Sequence, residues 1–571
     1  MAATTPPPLQ GPTSKEKKYD RQLRLWAASG QQALEDAHIL LINSGPGVVG
    51  IETLKNLVLP GIGQFTIQDS AVVTEADLGA NFFLEEEHLG GFRAKHTCEL
   101  LKELNPDVQG HYITEPIDSW ISQQSSLAPY TLIIVTAPIR PAILEHISLH
   151  AAKTNTPVFY LHCVGFYAHF SIHLSPAFPI VDTHPPAEST TDLRLLAPWP
   201  ELSQLAAEHI KNLESMSDED HGHIPYVLIL LHFLEEWKRT HDGKLPVKYN
   251  EKSEFRSLVS SAIRTNTPEG GEENFSEAVA AALKSLNPPE ASSAVREVFN
   301  ADECQNITAA SPNFWLIARA ISLFYNKHGV LPLPGSVPDM KAKSADYIKL
   351  QNVYKAKARA DLAEVTETVR SLEKQLVRTP NSVPSQEIEA FCKNAGHIKL
   401  VRGRPFHVVH GAEGNVTWGE RAKSLAGYGG LKNPDSLFLL YVAFLAWDKF
   451  VASHERDGLL SAPKVPGAND AEVDADVEKM FGIAKTIMDG LLQEAGTFID
   501  DEAEYSEMKD TVRKYVAELT RAGGAELHNI AALAGGIVSQ EVIKVVTKQY
   551  IPVDNACVFD GVRSKTAVIR V

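Results

Sequence analysis

The sequence predicts a doubly wound α/β domain interrupted by a large, mostly helical insertion. Three observations carry that reading. The chain opens with strand, glycine turn, helix and strand in succession. Its middle is helical and broken by proline clusters, and its end returns to the opening pattern.

The elements follow in order. His38 to Asn43 (HILLIN) is a short apolar run rich in branched residues and ended by glycines, as a buried parallel strand should be. Gly45-Pro46-Gly47-Val48-Val49-Gly50 leads into Ile51 to Val58, where apolar residues recur at helical spacing. A strand at Gly63 to Gln68 stops at Asp69, and a helix follows around Arg93 to Leu104. Strands at Thr131 to Val135 and Val158 to Leu161 keep the βα spacing. From about Phe170 to Thr497 the segments are helical, separated by Leu331 to Pro338, Arg378 to Pro384 and Ser461 to Asp470. Tyr347, Leu350, Tyr354, Ala358, Leu362, Val365, Val369, Leu372 and Leu376 step by three or four, one seam along a long helix. That seam reads first as packing within the chain and second as a partner-binding face. An apolar, glycine-containing helix at Glu526 to Lys548 and strands at Ala556 to Phe559 and Ala567 to Val571 close the α/β part. The expected divisions are a flexible tail 1–17, a first α/β part 18–169, a helical insertion 170–497 and a closing part 498–571.

Composition narrows the function. With 54 basic and 71 acidic residues the net charge of the 571-residue chain is −17, which argues against nucleic acid or an anionic membrane as partner. The 44% hydrophobic share is that of a folded protein. Five scattered cysteines without a CxxC pair fit a reducing compartment, and no thiolate zinc site is expected. Met1 to Thr13 lacks the apolar stretch of a signal peptide, and Leu437 to Trp447, the longest apolar run, is too short to span a bilayer. A cytoplasmic and nuclear location is the expectation.

Gly45, Gly47 and Gly50 form G-x-G-x-x-G between a strand and a helix, with Asp69 about 20 residues on, where an acid meets a ribose hydroxyl. Nucleotide binding and a purely architectural turn both remain open, and the side chains of Pro46 and Val48 count against the nucleotide. Arg21 and Arg24, in Tyr19 to Trp26, read as an exposed salt-bridged face or as a guanidinium aimed at a phosphate. His162, Cys163, His169 and His173 read as buried or edge side chains before a metal site. Ser217 to Asp220 reads as a solvated loop. No metal site is expected.

Several stretches together resemble the adenylating ubiquitin-like-protein-activating enzymes: Lys18 to Trp26, Glu52 to Gly63, Leu104-Asn105-Pro106, and Ala531 to Gly536 with Gln540 to Lys544. Pro246 to Lys252, Phe255-Arg256, Pro312 to Trp315 and Val545 to Tyr550 narrow the likeness to the regulatory subunits that serve neddylation. The resemblance covers the chain from about Lys18. It implies a Rossmann-like, adenylation-type fold and a degenerate site. Where active members carry a second acid for the ribose this chain has Ala71, and where they carry a phosphate-contacting arginine it has Ala80. Their metal- and nucleotide-serving Asp-Asn is Ala137-Pro138, and a loop glycine is Val48, while Arg93 keeps the charge of their lysine. Neither Cys304 nor Cys392 lies in the family's Pro-x-Cys-Thr context.

The resemblance therefore implies a chain with no thioester cysteine and no firmly bound cofactor. ATP and Mg would belong to a catalytic partner subunit, with a neddylation-type modifier as the shared substrate and its conjugating enzyme as a further contact. Arg21 matches the arginine that reaches across the dimer to the partner's ATP phosphates, and Arg24 is expected to be structural. The alternatives are a sumoylation-type regulatory subunit, against which the length argues, a scaffold protein, and a nicotinamide-dependent oxidoreductase resting on the glycine motif and Asp69 alone.

Overall fold

The computed structural model describes residues 11–571 except 124, 187–188, 190, 266–270, 405–415, 455–463 and 500. It divides into two compact units, one formed by the residues up to Phe178 together with Val401–Val571, the other by Pro179–Leu400.

After a single helical turn at Ser14–Lys18, the first unit continues in α1 (Asp20–Glu35), whose helical backbone breaks at Trp26 and Ala27. β1 (His38–Ile42) then enters the sheet, and the glycine turn leads into α2 (Val48–Val58). β2 (Gln64–Gln68), α3 (Arg93–Leu104), β3 (Gln109–Ile113), β4 (Leu132–Thr136), α4 (Pro141–Thr154), β5 (Val158–Val164) and β6 (Tyr167–His173) follow. β1 pairs in parallel with β2 and β4, β2 with β3, and β4 with β5. β4 and β5 are buried along their whole lengths, which is why their sequences run mostly apolar. β6 is equally buried but alternates, with His169, Ser171 and His173 among its apolar residues.

The second unit begins in β7 (Phe178–Val181), which pairs with β8 (Ile398–Val401). Between these strands the chain is helical. The expected seam is a single helix, α5 (Ser344–Gln375), in which Leu350, Tyr354, Val365 and Val369 are fully buried. Leu350 and Tyr354 join the core of this unit with Leu202, Val227, Phe255 and Phe275. Packing within the unit accounts for that part of the seam. Ser217 caps a short exposed helix at Asp218–His221, and Asp220 is ion-paired to Lys343, so this stretch is ordered and not a loop.

Back in the first unit come α6 (Phe438–Ser453), α7 (Val473–Ala495), α8 (Glu502–Arg521) and α9 (His528–Thr547), then β9 (Ala556–Asp560) and β10 (Lys565–Ile569). The eight-stranded sheet runs β10-β9-β6-β5-β4-β1-β2-β3, with β6, β9 and β10 joined antiparallel. Residues of α6, α7 and α8 share one hydrophobic core with Val164, Tyr167, Ala556, Val558 and Ile569 of the sheet region. This differs from the expected insertion 170–497: the part after Val401 belongs with the sheet. α6 is apolar on every side, so one face meets the sheet while another meets α7 and α8, and composition alone carries no sign of that choice. Likewise the expected tail 1–17 contains a helical turn at Ser14–Lys18, capped by Thr13, while Met1 to Gln10 lie outside the described residues, as do Ser461 to Pro463 of the third proline cluster.

α9 is long and apolar enough to match a membrane span by composition, yet most of that stretch is buried in the protein. Its Gly535 lies so close to α2 that an added Cβ would stand 2.8 Å from Cβ of Glu52.

Candidate nucleotide site

A cavity of about 690 Å³ opens beyond the carboxyl ends of β1, β2 and β4, where the strand order reverses. That is where a doubly wound sheet holds its ligand. Asn43, Ser44, Asp69, Arg93, Asp118 and Arg140 form its polar side, and Ile117, Pro138, Ile139 and Ile143 an apolar wall, with Ala71 and Gly45 also in the lining.

The glycine turn fits the chain's own atoms. Gly47 caps α2 in the left-handed region at φ +63°, and a Cβ there would stand 2.2–2.5 Å from the Asn43 side chain. Gly45, at φ +59°, has Pro138 Cδ 2.6 Å from its missing Cβ. A Cβ on Gly50 would meet Leu41, Thr136 and Asn43 within 2.8–2.9 Å. All three glycines are required by packing alone.

Arg93 is buried and consumed. Its Nε donates to Asp69 Oδ2 at 2.7 Å, Nη1 to Asp77 Oδ1 at 2.8 Å, and Nη2 to the Gly45 carbonyl at 2.7 Å. Burial works against its charge, but the two carboxylates outweigh that and raise its affinity for the proton. Burial likewise opposes the Asp77 carboxylate, yet hydrogen bonds from Thr74 and Arg93 hold its carboxyl below the usual range. Asp69 also accepts from Asn43 Nδ2 at 3.1 Å and from the Ala71 amide at 2.9 Å. An Asp so fully engaged has little left for a ribose. The charge that Arg93 retains is therefore spent inside the chain, on Asp69, Asp77 and the Gly45 carbonyl. The other cation of the lining, Arg140, is ion-paired to Asp118.

The amino end of α2, where an anion would be expected, faces a carboxylate of the same chain. Glu526 Oε2 accepts the Val49 amide at 2.7 Å.

The ThiF family model matches residues 19–571. The chain is 35% identical to the NEDD8-activating enzyme E1 regulatory subunit of Xenopus laevis, over 97% of this chain and 98% of that one. It is 36% identical to the subunit of the same name from Gallus gallus, over 97% and 98%, and 35% identical to the NEDD8-activating enzyme E1 regulatory subunit AXR1 of Arabidopsis thaliana, over 97% and 96%. The chain belongs to the ThiF family, in the branch of these regulatory subunits.

Against that family's adenylation chemistry the lining does not fit a magnesium triphosphate. Both lining cations are paired, and Ala137 stands buried in an apolar cluster with Ile42, Val135 and Ile143. Ala71 lines the cavity, whereas Ala80 lies outside the lining, after the turn that presents Asp77. Val48 is buried as the first residue of α2. Arg21 is exposed on α1, does not line the cavity and makes no ion pair among the described residues, while Arg24 pairs with Asp20 at 2.9 Å. All five cysteines are buried, and burial pushes the thiols of Cys304 and Cys392 up to about 11 and about 12. A thioester forms from the thiolate, and burial works against that form at both cysteines. His162 and His169 face each other across β5 and β6, packed on Phe444, and no group of metal-ligating side chains occurs among the described residues.

Sequence reasoning missed Asp77, Asn43 and Glu526. Thr74-Glu75-Ala76-Asp77 is a capping box whose spacing could have marked Asp77. Nothing local marks Glu526, 477 positions from the amide it binds.

Proposed function

We propose that this chain is the non-catalytic, regulatory subunit of a heterodimeric activating enzyme for the neddylation modifier. The observation that carries the reading is the fate of Arg93: the cation that would meet a triphosphate is locked by Asp69, Asp77 and Gly45. Adenylation needs free positive charge at the developing phosphate anion, and this pocket offers none. The partner subunit would adenylate the modifier's C-terminal glycine with ATP and Mg, then take it as a thioester on its own cysteine. This chain contributes Arg21 across the dimer to the partner's phosphates, stabilises the partner's fold and helps hold the modifier. An exposed guanidinium outside its own pocket, with no ion pair among the described residues, suits that role. Mixing the two purified chains with ATP and modifier tests the reading: thioester is expected on the partner alone. Thioester on this chain would overturn it.

A further inference from the structure

We infer that Glu526 is an internal anion that occupies the phosphate-binding end of α2 and closes it to nucleotide. This deepens the preceding proposal, on which it rests, by saying what fills the place of the missing triphosphate.

Three observations place the carboxylate there. The left-handed turn at Gly47 opens α2, and the Glu526 carboxylate sits at its amino end, accepting the Val49 amide at 2.7 Å, with the amides of Gly47 and Val48 also favouring its charged form. Successive amides at a helix start form the concavity that holds phosphate or carboxylate groups. Second, Glu526 is only 6% exposed, and a carboxylate so buried persists only where donors replace its water. Third, its backbone is fixed on both sides. The Gly165 amide donates to the Ala525 carbonyl at 2.8 Å, Gly165 bridges to Glu526, and α9 starts two residues later and packs on α2. Gly523, Gly524 and Ala525 line the cavity just before it. The carboxylate thus arrives already ordered, whereas an external phosphate would have to displace it and leave it buried without donors.

The alternative is that Glu526 only caps α2 and occupies no anion site. Glu526→Ala separates the two, with inorganic phosphate as probe and sodium chloride of equal ionic strength as control, at pH 8 on the full chain. If the carboxylate fills an anion site, phosphate raises the unfolding temperature of E526A saturably and binds it about tenfold or more tighter than it binds the unaltered chain. Glu526→Asp keeps the charge but draws it back by one methylene, and is expected to show a smaller phosphate response. Should E526A fail to fold, the E526D response decides. A folded variant indifferent to phosphate, or an unaltered chain that responds equally, would overturn the inference. Neither result touches the proposed function, which the thioester assay tests separately.

Discussion

Arg93 and Asp69 lie 2.7 Å apart, both buried, on the wall of the cavity beyond the carboxyl ends of β1, β2 and β4. In that position a lysine or arginine can either meet a phosphate or neutralise the acids beside it. Here Asp77 supplies a second carboxylate and Gly45 a carbonyl, so the guanidinium is satisfied by the protein and the cavity keeps its shape without its charge.

Removing that guanidinium is expected to be a stability event. Arg93→Met would strand two buried carboxylates at a cost of about 3–5 kcal/mol. Arg93→Lys would recover only part, because an ammonium cannot reproduce the fork. Urea unfolding of the chain measures both, and ATP–pyrophosphate exchange by the folded complex should be unchanged.

Arg21 and Arg24 should separate cleanly. Arg21→Ala is expected to slow adenylation by roughly 10²-fold, the scale of losing one donor to transition-state charge, with the dimer still forming on size exclusion. Arg24→Ala loses only an exposed ion pair and should alter stability by less than about 0.5 kcal/mol. Equal adenylation rates for the unaltered chain and the Arg21 variant would remove the cross-subunit role.

The pH dependence of stability has a definite sign. Burial pushes the carboxyls of Glu526 and Asp448 up to about 7, from ordinary values of 4.5 and 3.8, although hydrogen bonds from the α2 amides and from Tyr160 act the other way. The folded chain therefore keeps these protons where the unfolded chain has released them, and stability falls as pH rises from about 4 to about 7. At 1.36 kcal/mol per unit the Glu526 contribution is at most about 3 kcal/mol. Asp448 should contribute less than its shift implies, since its side chain keeps 23% of its exposure. Urea midpoints at pH 5 and pH 7.5 should converge in Glu526→Gln and converge further with Asp448→Asn.

Gly47→Ala tests whether the glycine turn is architecture. A left-handed alanine costs about 1–2 kcal/mol, and its Cβ must also displace Asn43 from beside Asp69. A lowered unfolding temperature with unchanged adenylation by the folded complex is expected. A lost adenylation rate at full stability would instead mean that the loop serves chemistry.

The fold class, the glycine turn, the buried character of Leu437 to Trp447 and the long helix at Ser344–Gln375 were all legible from residue order, because period and branching reflect local geometry. The resemblance marked the alanines at 71, 80 and 137 as losses, and of these the structure brings only Ala71 into the cavity lining. What order along the chain leaves open is which distant groups meet. An arginine in a sequence carries its charge but not its partners, so the internal use of Arg93 emerged only when Asp77 and Gly45 came within hydrogen-bond reach. The placement of α6 against the sheet and of Glu526 at the head of α2 has the same cause. Both join segments far apart in sequence, and only the closing of one core around an eight-stranded sheet brings them together.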